Sequence, residues 1–452
     1  MQNFNQAIQW LASIVWGWQT VLLLLGVGVY LTFRLRVIQF RRFPFMVKLL
    51  LQDSDFGERS DDRTGEVSPV QALMVSLANT VGMGNIAGVC TAIAMGGPGA
   101  VFWMWLSALF GMATKLVEAI LGQRYKAVAE DGSVAGGPMY YLGQMSSLKW
   151  LGGLFACVMG CKALVSTSVI QSNSIAMAME NQWDLAPWIC GIVLAIFTWL
   201  VIIGGLRSIV RVVQVMTPVM VVLYLGGAIA TVISFADKIP HAFSLILVGA
   251  FNPSAVGGGV AGAGIAAAMR YGLARGAYSN EAGTGTAGIF HATAKTNEPV
   301  RQGLLASFDV FIDTIVICSL TALAVLTSGA WTEGTGVEMT VRAFTATMPT
   351  MGGMIVAVSS LLFGFSSLVG TTYLGETAFA YLFGAKAKKP FRWCYCVMVL
   401  VGANLRVEVA WSLGDVFNGM MALVNLIGII GLSGLAVELV QDYFARQNTA
   451  EN

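Results

Sequence analysis

The chain alternates long apolar runs with short polar connections. A membrane-crossing helix needs about 20 predominantly apolar residues. Runs of that kind fall at 8–33, 68–95, 98–122, 150–179, 187–205, 209–235, 262–294, 302–328, 351–382, 393–412 and 416–440. The pattern predicts an all-α integral membrane protein of about 11 transmembrane helices. The first run is too long for the apolar part of a signal peptide, and Met1 to Trp10 carries no Lys or Arg. One transmembrane domain is expected over 1–452, with no separate soluble domain and a short polar tail at Gln447–Asn452.

Composition narrows the class. Of 452 residues, 56% are hydrophobic and 11% charged, against about 25% charged in a soluble domain. That excludes a water-soluble globule, and the wealth of Leu, Val, Ile and Phe excludes a disordered chain. A net charge of +2 offers no basic face for nucleic acid. The seven cysteines sit in or beside apolar runs and read as buried membrane residues, not as disulfides. His241 and His291 are the two histidines, too few for a His-based metal or triad enzyme.

Charge placement predicts orientation. Arg34, Arg36, Arg41, Arg42, Lys48, Arg59 and Arg63 follow the first run. Connections on the same side add Arg124, Lys126, Lys295, Lys386 and Lys388, while the opposite side holds Lys238 and Arg342. The positive-inside rule puts the basic side in the cytoplasm, so the N-terminus is expected outside and the C-terminus inside. The acidic stretch Asp53, Asp55, Glu58, Asp61 and Asp62 reads as a solvated face.

Two interruptions match. Asn79-Thr-Val-Gly-Met-Gly-Asn85 lies in the second run, and Asn280-Glu-Ala-Gly-Thr-Gly-Thr286 in the seventh. Five helices separate them, so the two repeats would enter the membrane from opposite sides. Paired glycine-interrupted helices in corresponding positions point to the binding site of secondary transporters. Glycine weakens a helix, and unwound backbone survives at membrane depth only where it lines a cavity or is buried in protein. The freed N–H groups suit a carboxylate, and the freed carbonyls suit a cation or an ammonium. The competing reading is that these are packing glycines.

Several longer motifs occur in order: Ala78-Asn-Thr-Val-Gly-Met-Gly-Asn-Ile-Ala-Gly-Val89, Gly96-Gly-Pro-Gly-Ala-Val-Phe-Trp-Met-Trp105, Gly136-Gly-Pro-Met-Tyr-Tyr141 and Arg275-Gly-Ala-Tyr-Ser-Asn-Glu-Ala-Gly283. Over nearly the whole chain the sequence resembles the alanine or glycine:cation symporter family. The resemblance implies a five-plus-five inverted repeat like that of the leucine-transporter fold, with one extra N-terminal helix. The extra helix would cover 8–33, and the repeats 68–235 and 262–440. It implies Na⁺-driven uptake of a small neutral amino acid across a bacterial inner membrane by alternating access, with no organic cofactor. Alanine or glycine would be the substrate, serine and glutamine remaining open. Proton coupling is the alternative, and a monomer is expected.

Site residues follow from the resemblance. Amides around Gly82, Met83 and Gly84 would hold the substrate carboxylate, with Thr80 and Asn85 in the same break. Tyr278, Ser279, Gly283, Thr284 and Gly285 would form the other wall. Gln171, Asn173 and Thr371 would complete the substrate site. Ala78, Val81, Phe363, Ser366 and Ser367 would ligate Na⁺. The chain departs from the family pattern at Met83, Thr284 and Thr371, where Thr or Ser, Met, and in some members Trp are found.

Charged residues inside spans suggest function. Lys115 and Glu118, three apart, are expected to pair with each other in a structural role. Asp309 and Asp313 are expected near the cytoplasmic start of their span, solvated, at a gate or in ion coupling. Glu281 is expected to hold backbone amides of the break in preference to Arg275. Lys162, Glu376, Arg406, Glu408 and His291 receive no functional role. A channel would need a continuous pore and an enzyme a nucleophile–base pair or metal cluster; the sequence offers neither.

Overall fold

The computed structural model describes residues 2–52, 65–129, 132–252, 264–405 and 407–451. The acidic residues at 53–62, Arg59, Arg63 and Arg406, and the side chain of Glu408, lie outside the described residues. Helices stand at every predicted position. They are α1 (Ala7–Arg34), the bent pair α2 (Pro69–Thr80) and α3 (Gly84–Gly96), α4 (Ala100–Arg124) and α5 (Trp150–Trp183). Then come α6 (Pro187–Ile202), α7 (Gly205–Ser234) and α8 (Ile239–Phe251). The second half holds α9 (Ile265–Asn280), α10 (Thr286–Ala292), α11 (Pro299–Ser328), α12 (Gly336–Thr347) and α13 (Gly352–Phe383). It ends with α14 (Lys388–Ala403) and α15 (Val407–Glu451).

Among the described residues seven helices are long and apolar enough to cross a membrane, eight if the bent pair counts as one span. The apolar α6 is shorter, with 16 residues. The loops hold more structure than the apolar runs predicted. Helices α8 and α12 fill connections, and Ala127–Val128 pairs antiparallel with Val134–Ala135 in a small hairpin. The expected polar tail is helical instead. Helix α15 runs 45 residues, roughly 68 Å at helical rise. Its end is tied down by Arg446, which pairs with Glu298 at 2.8 Å.

Both predicted breaks are present. The first is a bend of 49° between α2 and α3. Ser68 and Gln71 form a capping box at the start of α2, and Val81 leaves the helix with ψ near 96°. The second break takes Glu281 (φ 54°), Gly283 (φ 88°) and Gly285 (φ 93°) through left-handed backbone, where glycine costs little. The two broken helices run side by side in opposite directions. Val67 bridges to Ala294, so the start of α2 meets the end of α10. At the middle, a Cβ on Gly84 would lie 3.2 Å from Ser279 Cα, and at the far end one on Gly96 would lie 3.1 Å from Ala268 Cα. This is the arrangement that an inverted repeat requires.

Among the described residues three π turns interrupt the spans: Gly84–Gly88, Lys162–Thr167 and Phe311–Cys318. All three lie beside the breaks, where such bulges tend to serve function. All seven cysteines are free; Cys157 and Cys394 are exposed, contrary to the expectation of burial.

Candidate functional site

A small cavity lies between the two breaks. Asn79, Thr80, Gly82, Met83 and Gly84 of the first break form one wall. Tyr278 and Glu281 stand at the second break, with Lys162, Thr167 and Gln171 of α5, Thr371 of α13 and Asn418 of α15. Its volume is ≈ 30 Å³, room for about two waters. The walls must part to admit an amino acid.

One polar network knits the cavity. Lys162 pairs with Glu281 at 3.0 Å. Glu281 also accepts from Asn79 Nδ2 and Thr286 Oγ1, both at 2.8 Å. Thr371 donates to Asn79 Oδ1 at 2.9 Å, and Ser367 to the Asn79 carbonyl at 3.2 Å. Glu281 therefore bonds side chains, not backbone amides as expected. Arg275 pairs elsewhere, with Asp415 at 3.0 Å. The cavity holds one cation and one anion already paired, so its wall has no net charge to select a charged side chain.

The remaining predicted residues divide. Asn85 is buried behind the first break, taking the Gly82 amide on Oδ1 (2.9 Å) and donating to Asp313 (2.7 Å). One amide expected to hold substrate is thus already bonded within the protein. Ser279 donates to the same Asp313 at 2.9 Å. Asn173 donates to the carbonyls of Gly402 and Leu405, bracing α5 against the end of α14. Gly283 packs against Leu24 and Leu426, and Gly285 against Pro138 and Phe155. Thr284 turns its hydroxyl to the Glu281 carbonyl at 2.7 Å. None of these six lines the cavity.

Of the five residues expected at Na⁺, three converge. Ser366 Oγ lies 2.9 Å from the Ala78 carbonyl and 3.0 Å from that of Phe363. Ser367 is one residue on but directs its hydroxyl at Asn79. Val81 is buried at the C-terminal end of α2. The Ala78–Phe363–Ser366 oxygens are hard neutral ligands from two helices, a donor set that suits a hard cation.

Expectations for the intramembrane charges are corrected. Lys115 pairs not with Glu118 but with Asp309, at 2.7 Å, and both are buried. Ser76 and Thr80 also donate to Asp309. Asp313 is likewise buried, so neither aspartate is solvated. Glu118 accepts from the Gly285 amide at 3.1 Å and from Asn425 at 2.7 Å. His291 meets Gln302 at 2.6 Å, a hydrogen-bonded helix residue.

Sequence reasoning left Asn79, Lys162, Thr167, Glu281 and Asn418 out of the site. Asn79 and Glu281 stood in the repeated motif, and Lys162 was a charge inside a span. Thr167 and Asn418 carried no signal. A larger polar vestibule, ≈ 560 Å³, is lined by Glu66, Arg207, Tyr373, Glu376, Lys388 and Arg392 among others. Tyr373, two residues past Thr371, stacks on Phe290 with ring centroids 6.1 Å apart. Nearby, burial pushes the Lys126 ammonium down to about 8. It donates to Gln123 and to the Thr296 carbonyl.

The family model for the sodium:alanine symporter family matches residues 1–452. The chain belongs to the sodium:alanine symporter family. It is 40% identical, over the full length of both chains, to the sodium/alanine symporter AgcS of Methanococcus maripaludis. It is 37% identical to the probable sodium/glutamine symporter GlnT of Bacillus subtilis, over 100% of this chain and 93% of that one. The crystal structure of MhsT in complex with L-phenylalanine superposes with a TM-score of 0.59 at 14% identity, covering 84% of this chain and 99% of that one. The fold is thus leucine-transporter-like, as expected. As a member of this family, the protein is a cation-coupled amino acid symporter of the membrane, not an enzyme.

Proposed function

We propose that the chain couples Na⁺ entry to uptake of a small neutral amino acid, alanine or glycine before serine or glutamine, by alternating access. The observation that carries this reading is the cavity between the two breaks, small and electrically balanced. A zwitterion with a short side chain answers both properties. Its carboxylate would sit on the amides of Met83 and Gly84, which open the second half of the first broken helix. Gln171, Thr371 and Tyr278 would border the side chain, and the carbonyl-rich end of α2 would take the ammonium. Na⁺ would bind at Ala78, Phe363 and Ser366, joining α2 to α13 and so favouring one packing of the first repeat on the second.

The domain is read as one transporter unit, repeats 68–235 and 262–440, with the basic side and the vestibule in the cytoplasm. On that orientation Tyr373 lines the vestibule and stacks on Phe290, a contact that inward opening would break. The expected monomer carries no part of this mechanism.

Uptake of labelled alanine into proteoliposomes, with and without an inward Na⁺ gradient, tests the proposal. Unlabelled glycine, serine and glutamine serve as competitors. Gradient-dependent accumulation, with glycine competing best, is the expected result. Accumulation driven by a proton gradient alone would overturn the ion, and stronger competition by glutamine would overturn the substrate.

A further inference from the structure

We propose that a basic pocket at the inner end of α1 binds the phosphate of an anionic phospholipid headgroup. The pocket, ≈ 480 Å³, is lined by Arg34, Arg36, Arg41 and Arg42 and by the last turns of α15, including Gln441 and Phe444. Among the described residues no acidic one lines it. Among the described residues no carboxylate forms an ion pair with any of the four arginines. The Arg42 guanidinium carbon lies over Phe444, 4.1 Å from the ring centroid, and its Nε is buried without a hydrogen-bond partner. Arg34 is held by the Tyr30 hydroxyl at 2.7 Å.

The backbone is strained to make this cluster. Arg36 and Val37 both adopt left-handed conformations, with φ of 54° and 57°, unfavourable for any L-residue and more so for a β-branched one. Such strain persists only where the surroundings enforce it, and it gathers at ligand sites. Here it reverses the chain so that arginines before and after the turn share one pocket. Around that pocket the surface is apolar: Phe33 is 71% exposed and Phe40 58%. Guanidiniums with no carboxylate partner among the described residues, beside exposed phenylalanines at a helix end, match a phosphate with acyl chains attached. Guanidinium takes phosphate by paired, charge-assisted hydrogen bonds, and basic pockets at the cytoplasmic membrane face recognise anionic headgroups.

The test is lipid retention by the full-length protein in detergent, read by native mass spectrometry. Phosphatidylglycerol is compared with phosphatidylcholine, and inorganic phosphate is added in a separate arm. Retention of phosphatidylglycerol over phosphatidylcholine is expected, weakened roughly tenfold or more in Arg36→Gln/Arg41→Gln/Arg42→Gln. Arg342→Gln removes an exposed basic residue on α12, outside the pocket, and should retain lipid like the parent. Inorganic phosphate at matched concentration should not displace the lipid; displacement would assign the site to the free anion. Equal retention of both lipids, or an undiminished preference in a triple variant that remains monodisperse, would overturn the proposal.

Discussion

Lys162→Met isolates the ion pair at the centre of the site. It removes the cation that stands 3.0 Å from Glu281, where side-chain exposure is 5% for Lys162 and 12% for Glu281. Breaking a buried pair by deleting one partner costs about 3–5 kcal/mol, because the remaining charge stays desolvated. Glu281 keeps its bonds from Asn79 and Thr286, so the lower end, about 3 kcal/mol, is expected. Glu281→Gln strands Lys162 in turn and should cost about 2–3 kcal/mol. The double variant leaves no stranded charge, since an amide can still accept from Asn79. It should cost scarcely more than either single change, a coupling of about 3 kcal/mol. Equilibrium unfolding in mixed micelles measures the cycle. Additivity of the two changes within about 0.5 kcal/mol would refute the reasoning, because the residues would then not act as a pair.

Three further outcomes follow from the same geometry. Ser366→Ala removes the hydroxyl between the Ala78 and Phe363 carbonyls. Na⁺ activation of uptake should weaken roughly tenfold, the scale of one hydrogen-bonding group on a charged ligand, while alanine KM at saturating Na⁺ changes little; unchanged Na⁺ dependence would move the ion elsewhere. Gly82→Ala places a Cβ 2.7 Å from Ser367 Oγ and 3.6 Å from Gln171 Nε2; alanine uptake should be lost while the protein stays monodisperse, and retained full affinity would remove Gly82 from the site. Lys126, pushed down to about 8 by burial, titrates near 10.4 when unfolded. Between these values the unfolded chain binds more protons, so stability should rise with pH from about 8 to 10. Lys126→Gln should flatten that rise in thermal unfolding curves.

The sequence read well where the physics is local. Apolar runs located the helices because each must satisfy its own backbone in lipid. The Asn79–Asn85 and Asn280–Thr286 motifs located both breaks because glycine releases a helix wherever it stands. Reading failed where the partner is distant in the chain. Lys115 and Glu118 suggested a pair by their spacing, yet their partners lie on α9, α11, the second break and α15. The π turn that begins at Lys162 has no signature in its residues, Lys-Ala-Leu-Val-Ser-Thr. The polar residues at the end of α15 looked like a tail because a helix end held by contacts with Phe45 and Glu298 needs no apolar run.

The unequal use of two nearly identical motifs has a physical cause. At the second break the freed ends are already occupied. The Lys115 ammonium donates to the Asn280 carbonyl at 2.8 Å, at the negative end of α9. The Glu118 carboxylate accepts from the Gly285 amide, at the positive end of α10. Both charges rise from α4, one turn apart, so one helix serves both opposed dipoles. This accounts for Gly283, Thr284 and Gly285 packing away from the cavity although the resemblance placed them on its wall. The first break has no such charges: Asn85, a neutral side chain, takes the Gly82 amide. On the proposed reading its amides at Met83 and Gly84 would take an anionic group, and its Ala78 carbonyl, held by the neutral Ser366 hydroxyl, would take a cation from outside. A transporter must let go of what it binds, and neutral, hydrogen-bonding ends hold a zwitterion and an ion less tightly than fixed charges would. On the proposed reading the charged break would brace one repeat, and the neutral break would face the cargo.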